Sequence, residues 1–362
     1  MRERWVVAMS GGVDSSVAAA ELVGSGLEVI GVTMDLGAGS GVSAGSSRDA
    51  GRCCGLPDAV DARAVARRLG IRHYTFDYRD AFRAAVIDPF VEAYEAGRTP
   101  IPCIPCNRVL KFDRLLRRAE TLGARGVATG HYARIEPGPE GDLALYRARD
   151  RTKDQSYFLF DLPRKTLARL RFPIGALPKR EVRERARRLH LETAEKPESQ
   201  GICFVPNGRV REALTQLRPE RRRSRGPILD RDGRVLGEHD GAAGYTLGQR
   251  RGLGLAGGPW YVSAVDPRRN EVTVDRAAAL ERRELQLSDV SWLIEKRPPR
   301  RLRVQVRHRA ASVPARLEET GAGAYRVWLE RTVWAPAVGQ AAVFYHEDDA
   351  RVLGGGWIAG SG

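Results

Sequence analysis

Two groups of side chains have types and spacing suited to chemistry. The first is Ser10-Gly11-Gly12-Val13-Asp14-Ser15-Ser16, which follows an apolar run and opens a helical pattern. Paired glycines let a backbone turn tightly and present N–H groups to an anion. The hydroxyls of Ser10, Ser15 and Ser16 add donors, and the helix behind them aims its positive end at the same point. Asp14 repels phosphate; its natural use is to hold a Mg²⁺ that bridges phosphate groups. The segment lacks both the G-K-[ST] ending of a Walker loop and the G-x-G-x-x-G of a dinucleotide site. A plain Gly-Gly turn before a helix is the bland alternative.

The second group is the thiols. Cys103 and Cys106 lie in the proline-rich stretch Thr99–Phe112, and Cys203 lies in Ser-Gln-Gly-Ile-Cys-Phe. Cys106 is expected just before a helix that Asn107 could cap, with Arg108 and Lys111 close by. Such surroundings favour the thiolate, the reactive form of a sulfur nucleophile. Three readings compete. Zinc needs four ligands, and the adjacent Cys53 and Cys54 make poor chelators. Cys53 and Cys54 read best as inert core residues. Cys106 and Cys203 read as a redox-capable pair in which one thiol carries a persulfide and the other releases its sulfur by forming a disulfide.

The elements that must position these groups are legible as alternating strands and helices. Strand-like runs cover 5–9, 27–34, 73–76 and 127–129. Helical spacing covers 13–23, 58–69, 81–96 and 109–122, with Pro89 expected to kink or break the third. Alternation of this kind predicts an α/β fold with a doubly wound parallel sheet. The low-complexity stretch 37–47 is expected to be a mobile linker or a ligand-side loop. Beyond Phe204, the basic run 209–225 is either a solvated helix end or a phosphate contact. From residue 226, short alternating runs between Gly and Pro turns (261–265, 271–274, 302–307, 325–329 and 341–345) predict antiparallel β structure, a small barrel or a sandwich. The expected division is 1–205 for the α/β domain, 206–270 for a small linking domain and 271–362 for the β-domain.

Composition sets limits. At 362 residues with 42% hydrophobic content, the chain has material for two or three packed domains and is neither disordered nor collagen-like. No apolar run reaches the roughly 18 residues of a membrane span, and Met1–Met9 does not read as a signal peptide. Five cysteines are sparse and odd in number, which fits a reducing, cytoplasmic setting. The net charge of +15 suits a polyanionic partner such as nucleic acid. Part of that excess reflects a chain-wide preference for Arg, because only Lys111, Lys153, Lys165, Lys179, Lys196 and Lys296 are lysines.

The loop resembles the pyrophosphate-binding loop of the ATP pyrophosphatases, which split ATP into AMP and pyrophosphate. A wider set of blocks, in order, resembles the bacterial tRNA-specific 2-thiouridylases of MnmA type. They are 8–16 (AMSGGVDSS), 53–70, 99–112, 129–134 (TGHYAR), 153–159 (KDQSYFL), 199–204 (SQGICF), 245–254 (YTLGQRRGLG), 259–262 (PWYV), 304–309 (VQVRHR) and 339–345 (GQAAVFY). The resemblance implies thiolation of the wobble uridine in the tRNA anticodon stem-loop, for Lys, Glu and Gln isoacceptors. It implies ATP and Mg²⁺ as cofactors and a cysteine desulfurase or sulfur-relay protein as donor. ATP would be held by Ala8, Met9, Ser10, Gly11, Gly12, Val13, Asp14, Ser15, Ser16, Met34 and Gly130. Cys106 matches the nucleophile and Cys203 the persulfide cysteine. Ile101, Pro102, Cys103, His131, Lys153, Asp154, Gln155, Arg307, His308 and Gln340 match positions beside the target base or the tRNA.

The chain also departs from the pattern. Many relatives carry Asn where Ile101 stands and Asp where Cys103 stands. Ile101 cannot hydrogen-bond a base through its side chain. Cys103 raises a second possibility, a [4Fe–4S] cluster on Cys103, Cys106 and Cys203. Other readings kept open are an ATP-dependent ligase or amidotransferase on the same loop, and an RNA-binding or sulfur-carrier adaptor.

Overall fold

The computed structural model describes residues 2–37, 56–198, 201–220, 224–295, 298–321 and 323–362. The expected readings for 38–47, for Cys53 and Cys54 and for Arg221–Arg223 lie outside the described residues. The chain divides into two compact units. One contains residues 1–86, 103–208 and 350–352; the other contains 87–102, 209–349 and 353–362.

The first unit is built on a five-stranded sheet. Its strands are β1 (Arg4–Ala8), β2 (Glu28–Asp35), β3 (Arg72–Asp77), β4 (Gly126–Thr129) and, after a hairpin of β5 (Ala133–Pro137) and β6 (Leu143–Arg147), β7 (Leu170–Arg171). The order is β3-β2-β1-β4-β7, and every pair is parallel. The inner strands of such a sheet are covered on both faces, so β1, β2 and β4 read as nearly unbroken apolar runs, whereas the edge strand β3 is largely exposed. Side chains alternate along β1. Trp5, Val7 and Met9 therefore join one core with Val13 and Val17 of helix α1 (Val13–Gly24), Ala62 and Val65 of helix α2 (Leu56–Arg68), and Val182 and Ala186 of the helix Lys179–Arg188. Val6 points the other way and is also fully buried.

Chain order reverses at β1, which lies between β2 and β4. The crevice past the C-terminal ends of β1 and β4 is thus the switch point where open parallel sheets bind ligands. Two segments meet there: the turn Ser10–Gly12 and the turn after β4 at Gly130.

Helical boundaries differ from expectation in two places. The expected helix 81–96 is realised as Arg79–Phe82, a π-helical stretch Arg83–Ile87, and Asp88–Glu95 with Pro89 in its first turn. Proline has no N–H to lose there, and the widened turn just before it absorbs the interruption. The expected helix 109–122 begins six residues earlier, as the run Cys103–Pro105, Cys106–Arg114 and Leu115–Thr121.

The second unit carries two β assemblies. The first is a four-stranded sheet of β8 (Gly226–Leu229), β9 (Val235–His239), β10 (Tyr261–Asp266) and β11 (Glu271–Asp275), in the order β10-β11-β8-β9. Its β8–β11 pair is parallel, so the region is not purely antiparallel as expected. Strand β11 extends this sheet past the expected division at 270. The second assembly is a closed six-stranded barrel, not a sandwich. Its strands are β12 (Glu281–Trp292), β13 (Arg301–Gln305), β14 (Val313–Gly321), β15 (Ala324–Trp334), β16 (Ala341–Tyr345) and β17 (Val352–Ser361). Leu285, Leu302, Val304, Val327, Phe344 and Leu353 fill it. Among the described residues no helix is long and apolar enough to cross a membrane.

Candidate functional site: an anion loop and the thiol helix

Loop 10–16 is held in shape by its own hydroxyls. Ser15 Oγ accepts from Ser10 N–H at 3.1 Å and donates to the Gly12 carbonyl at 3.1 Å. Ser16 Oγ donates to the same carbonyl at 2.9 Å and accepts from Thr193 at 3.0 Å. Ser15 and Ser16 are buried. They therefore shape the turn, which leaves Ser10 as the hydroxyl nearest the surface. No side chain caps the N-terminus of α1 at Gly12, so its first-turn N–H groups remain available to an anion.

Two glycines are required by contact as well as by conformation. Gly11 has φ +69°, and a Cβ there would sit 2.3 Å from the Asp58 carbonyl oxygen. At Gly130 a Cβ would sit 2.6 Å from the Asp14 carbonyl carbon. The loop is thus wedged between α2 and the turn after β4. Met9 and Met34 are buried beneath it, and Thr33 Oγ1 donates to the Met9 carbonyl at 2.8 Å.

Asp14 is the centre of a charge network. Lys179 Nζ meets its two oxygens at 2.7 and 2.8 Å, and the Tyr132 hydroxyl donates to Oδ1 at 2.8 Å. Burial, and then the adjacent Asp14 carboxylate, push the Tyr132 phenol up, so it stays a donor. Lys179 also meets Glu198 at 2.9 Å, and Glu198 meets Lys153 at 2.7 Å. Burial raises the Glu198 carboxyl, but the hydrogen bonds from Lys153 and Lys179 outweigh this and hold it below the usual range. A second lysine, Lys196, donates to the Gly11 carbonyl at 3.0 Å and to Asp58 at 2.7 Å, and also reaches Asp61.

Sequence reasoning missed Tyr132, Lys179, Lys196 and Glu198. A signal was present. Lys179, Lys196, Lys153 and Lys111 are four of only six lysines in an arginine-rich chain. A compact ammonium with three donors can converge on several acceptors where a planar guanidinium cannot.

The 153–155 segment is tied to this network. Gln155 and Tyr132 pair reciprocally: Gln155 N–H donates to the Tyr132 carbonyl at 2.8 Å, and Tyr132 N–H donates to Gln155 Oε1 at 2.9 Å. Asp154 is buried. It accepts from Arg147 Nη1 and Ala148 N–H at 2.9 Å each, and from Ser156 Oγ at 2.9 Å and Ser156 N–H at 3.2 Å. His131 bonds Thr129 Oγ1 through Nδ1 at 2.6 Å and packs between Phe112 and Phe172. Burial, followed by the charge of Lys111, pushes its pKa well down, so the ring is neutral.

The thiols stand on the same unit. Because the helix starts at Cys103, that residue occupies its first turn and Cys106 lies one turn further in, which corrects the expected order. Pro105 is tolerated because first-turn N–H groups have no helical partner anyway. Asn107 does not cap; its Nδ2 donates to the Phe158 carbonyl at 3.1 Å, and its Oδ1 accepts from Lys111 at 3.0 Å. Arg108 pairs with Asp161 at 2.7 Å. Cys106 is buried, while Cys103 and Cys203 are half-buried. Next to Cys203, Phe204 packs edge-on against Phe82 at 5.7 Å, and the Phe82 turn lies against the helix that carries Cys106.

Among the described residues, no three His, Cys, Asp or Glu side chains group to hold a metal ion. Cys103, Cys106 and Cys203 are all described and form no such group. A Mg²⁺ arriving with a nucleotide has a different requirement. It takes one or two carboxylates and completes its shell with phosphate and water, which Asp14 at the loop mouth fits.

In the second unit, Ile101 is half-buried and Pro102 is buried. Arg307 is exposed, its guanidinium 5.8 Å over the Trp334 ring. His308 and Gln340 are half-buried, and the Gln340 carbonyl accepts from Ile358 N–H at 2.8 Å.

Residues 3–207 match the family described as tRNA methyl transferase HUP domain, 214–276 the tRNA methyl transferase PRC-barrel domain, and 282–358 the aminomethyltransferase beta-barrel domain. The chain is 50% identical over 357 residues to a Chloroflexus aurantiacus protein named tRNA-specific 2-thiouridylase MnmA, with 98% of each chain covered. The chain belongs to the tRNA-specific 2-thiouridylase family. Proteins of the same name from Methylorubrum extorquens and Rhodospirillum rubrum are 49% and 48% identical, covering 98% and 99% of this chain and 93% and 96% of theirs. Membership in this 2-thiouridylase family therefore spans both units, as the sequence blocks implied.

Proposed function

We propose that this chain is an ATP-dependent tRNA-uridine 2-sulfurtransferase acting on the wobble uridine. The observation that carries this reading is that one compact unit holds both an anion-binding loop at the sheet's switch point and the segments bearing Cys106 and Cys203. ATP sits on Ala8–Ser16, with Met34 and Gly130 lining its site. Asp14 would hold Mg²⁺, which would supply charge neutralisation for the pyrophosphate that leaves. The α1 N–H groups add to that stabilisation.

The uracil O2 attacks the α-phosphorus of ATP, so pyrophosphate departs and C2 carries an AMP leaving group. The terminal sulfur of a Cys203 persulfide attacks C2, and AMP departs. The Cys106 thiolate then attacks Cys203 Sγ. The S–S bond to the transferred sulfur breaks, its electrons stay with that sulfur, and 2-thiouridine leaves. The Cys106–Cys203 disulfide formed is reopened by an external thiol reductant. The base must leave the anticodon stack to reach such a site.

Lys153 and Arg307 suit phosphate, whereas Gln155, His308 and Gln340 suit base or sugar. Neutral His131 can act only through hydrogen bonding and stacking, and Asp154 acts by holding Lys153 and Gln155 in place. Ile101, Pro102 and Cys103 would face the base through backbone and packing. The sulfur donor would be a cysteine desulfurase or relay protein, the substrates the Lys, Glu and Gln tRNAs, and the setting the cytoplasm.

The test is nucleoside mass spectrometry of tRNA incubated with the protein, ATP, Mg²⁺ and a sulfur source. The expected product is 2-thiouridine at the wobble position, lost without ATP and lost in Cys106→Ser or Cys203→Ser. Unchanged thiolation in either variant overturns the sulfur chemistry. A ligase or amidotransferase on the same loop would release pyrophosphate with both thiols replaced.

A further inference from the structure

The network around Asp14 extends through Glu198 to Lys153. Asp14 lies in the anion loop. Its two oxygens are gripped by Lys179 Nζ at 2.7 and 2.8 Å. Lys179 is buried, with its amine 5.6 Å over the Tyr132 ring, so it has little room to move except between its acidic partners. Those partners are Asp14 on one side and Glu198 Oε1 at 2.9 Å on the other. The second Glu198 oxygen holds Lys153 at 2.7 Å, and Arg183 stands 3.7 Å from Oε1. The series Asp14–Lys179–Glu198–Lys153 alternates in charge, and each member shares its partner with the next.

We infer that Lys179 and Glu198 are positioning residues that couple nucleotide binding at the loop to RNA binding at Lys153. The inference rests on the reading above, in which the loop takes ATP and Lys153 faces RNA. When an RNA phosphate draws Lys153 away, Glu198 has a vacant oxygen and an undivided claim on Lys179. The ammonium shifts toward Glu198, and Asp14 is released to the incoming Mg²⁺. RNA therefore tightens Mg²⁺–nucleotide binding, and by linkage the nucleotide tightens RNA binding by the same factor. Glu198 touches neither ligand; it decides how the two lysines are shared.

The experiment measures dissociation constants of the full chain for a non-hydrolysable ATP analogue with Mg²⁺, with and without anticodon stem-loop RNA. In the native chain the RNA is expected to tighten the analogue at least about fivefold, within the usual range of coupling. In Glu198→Gln, which keeps shape but drops the charge, each ligand alone still binds and the ratio falls to within about twofold of unity. Lys179→Met is expected to remove the ratio as well, from the other end of the series. A native ratio near unity, or one preserved in Glu198→Gln, overturns the inference while ATP and RNA binding stand. Loss of single-ligand binding in Glu198→Gln overturns it too, by making Glu198 a direct or purely structural group. Failure of the native chain to bind either ligand removes the underlying reading itself.

Discussion

Replacing Asp154 separates a structural role from an RNA contact. The proposed reading puts this residue in a tRNA-contacting segment, yet its carboxylate accepts four hydrogen bonds from inside the protein, one of them from the Arg147 guanidinium at 2.9 Å. The side chains of Arg147 and Asp154 are 7% and 6% exposed, so solvent screens the pair little. Breaking a buried pair by removing one partner costs about 3–5 kcal/mol. The Ala148 and Ser156 N–H groups lose their acceptor in Asp154→Ala, and an unsatisfied buried donor costs about 1–3 kcal/mol. These costs overlap, and about 4 kcal/mol is the working figure for either Asp154→Ala or Asp154→Asn. For a unit of roughly 150–250 residues each kcal/mol lowers the melting temperature by about 2–4 °C, so a fall of roughly 8–16 °C is expected. Calorimetry reads it, and the transition of the α/β unit is the one that should move. A variant that melts within about 2 °C of the native chain, while RNA affinity drops tenfold, would refute the structural role.

Gly11 and Gly12 should part company on substitution. Gly11→Ala meets both a φ of +69° and the Asp58 backbone at 2.3 Å. The conformation alone costs about 1–2 kcal/mol, so both the melting temperature and nucleotide affinity should fall. Gly12 has φ −102° and only Ser10 Oγ, at 3.6 Å, in its path, so Gly12→Ala should melt like the native chain; equal melting of the two variants would discredit the wedge. For Glu198 the folded pKa lies below the ordinary 4.5. Its contribution to stability is therefore present above that value and is lost as pH falls through the depressed folded pKa. A pH series of melting temperatures should show Glu198→Gln less stable than the native chain near neutrality, the gap closing as acid protonates Glu198; a gap that widens in acid contradicts the assignment.

The amino-acid sequence by itself determined the parts that depend on neighbours in the chain. Apolar runs separated by helical spacing dictate a parallel sheet with helices on both faces. A Gly-Gly turn between strand and helix dictates a tight loop at an uncapped helix start, because only the local backbone is involved. The family's ordered blocks were legible for the same reason. Even there local geometry misled: the rule that prolines end helices hid a helix beginning at Cys103, since proline is harmless in a first turn.

Only the tertiary structure decided what surrounds Asp14. Tyr132 and Lys179 reach it across 118 and 165 residues, and Lys196 reaches the Gly11 carbonyl across 185. No periodicity announces such partners, because the sheet's switch point is what brings the ends of β1 and β4 together and sets the Lys179–Arg188 helix against α1. The burial of Asp154 against Arg147, only seven residues away, was concealed for another reason: residue type and spacing do not say what packs over both side chains. A charge is read from its residue type, but its role depends on what shares its low-dielectric surroundings, and chain folding alone settles that.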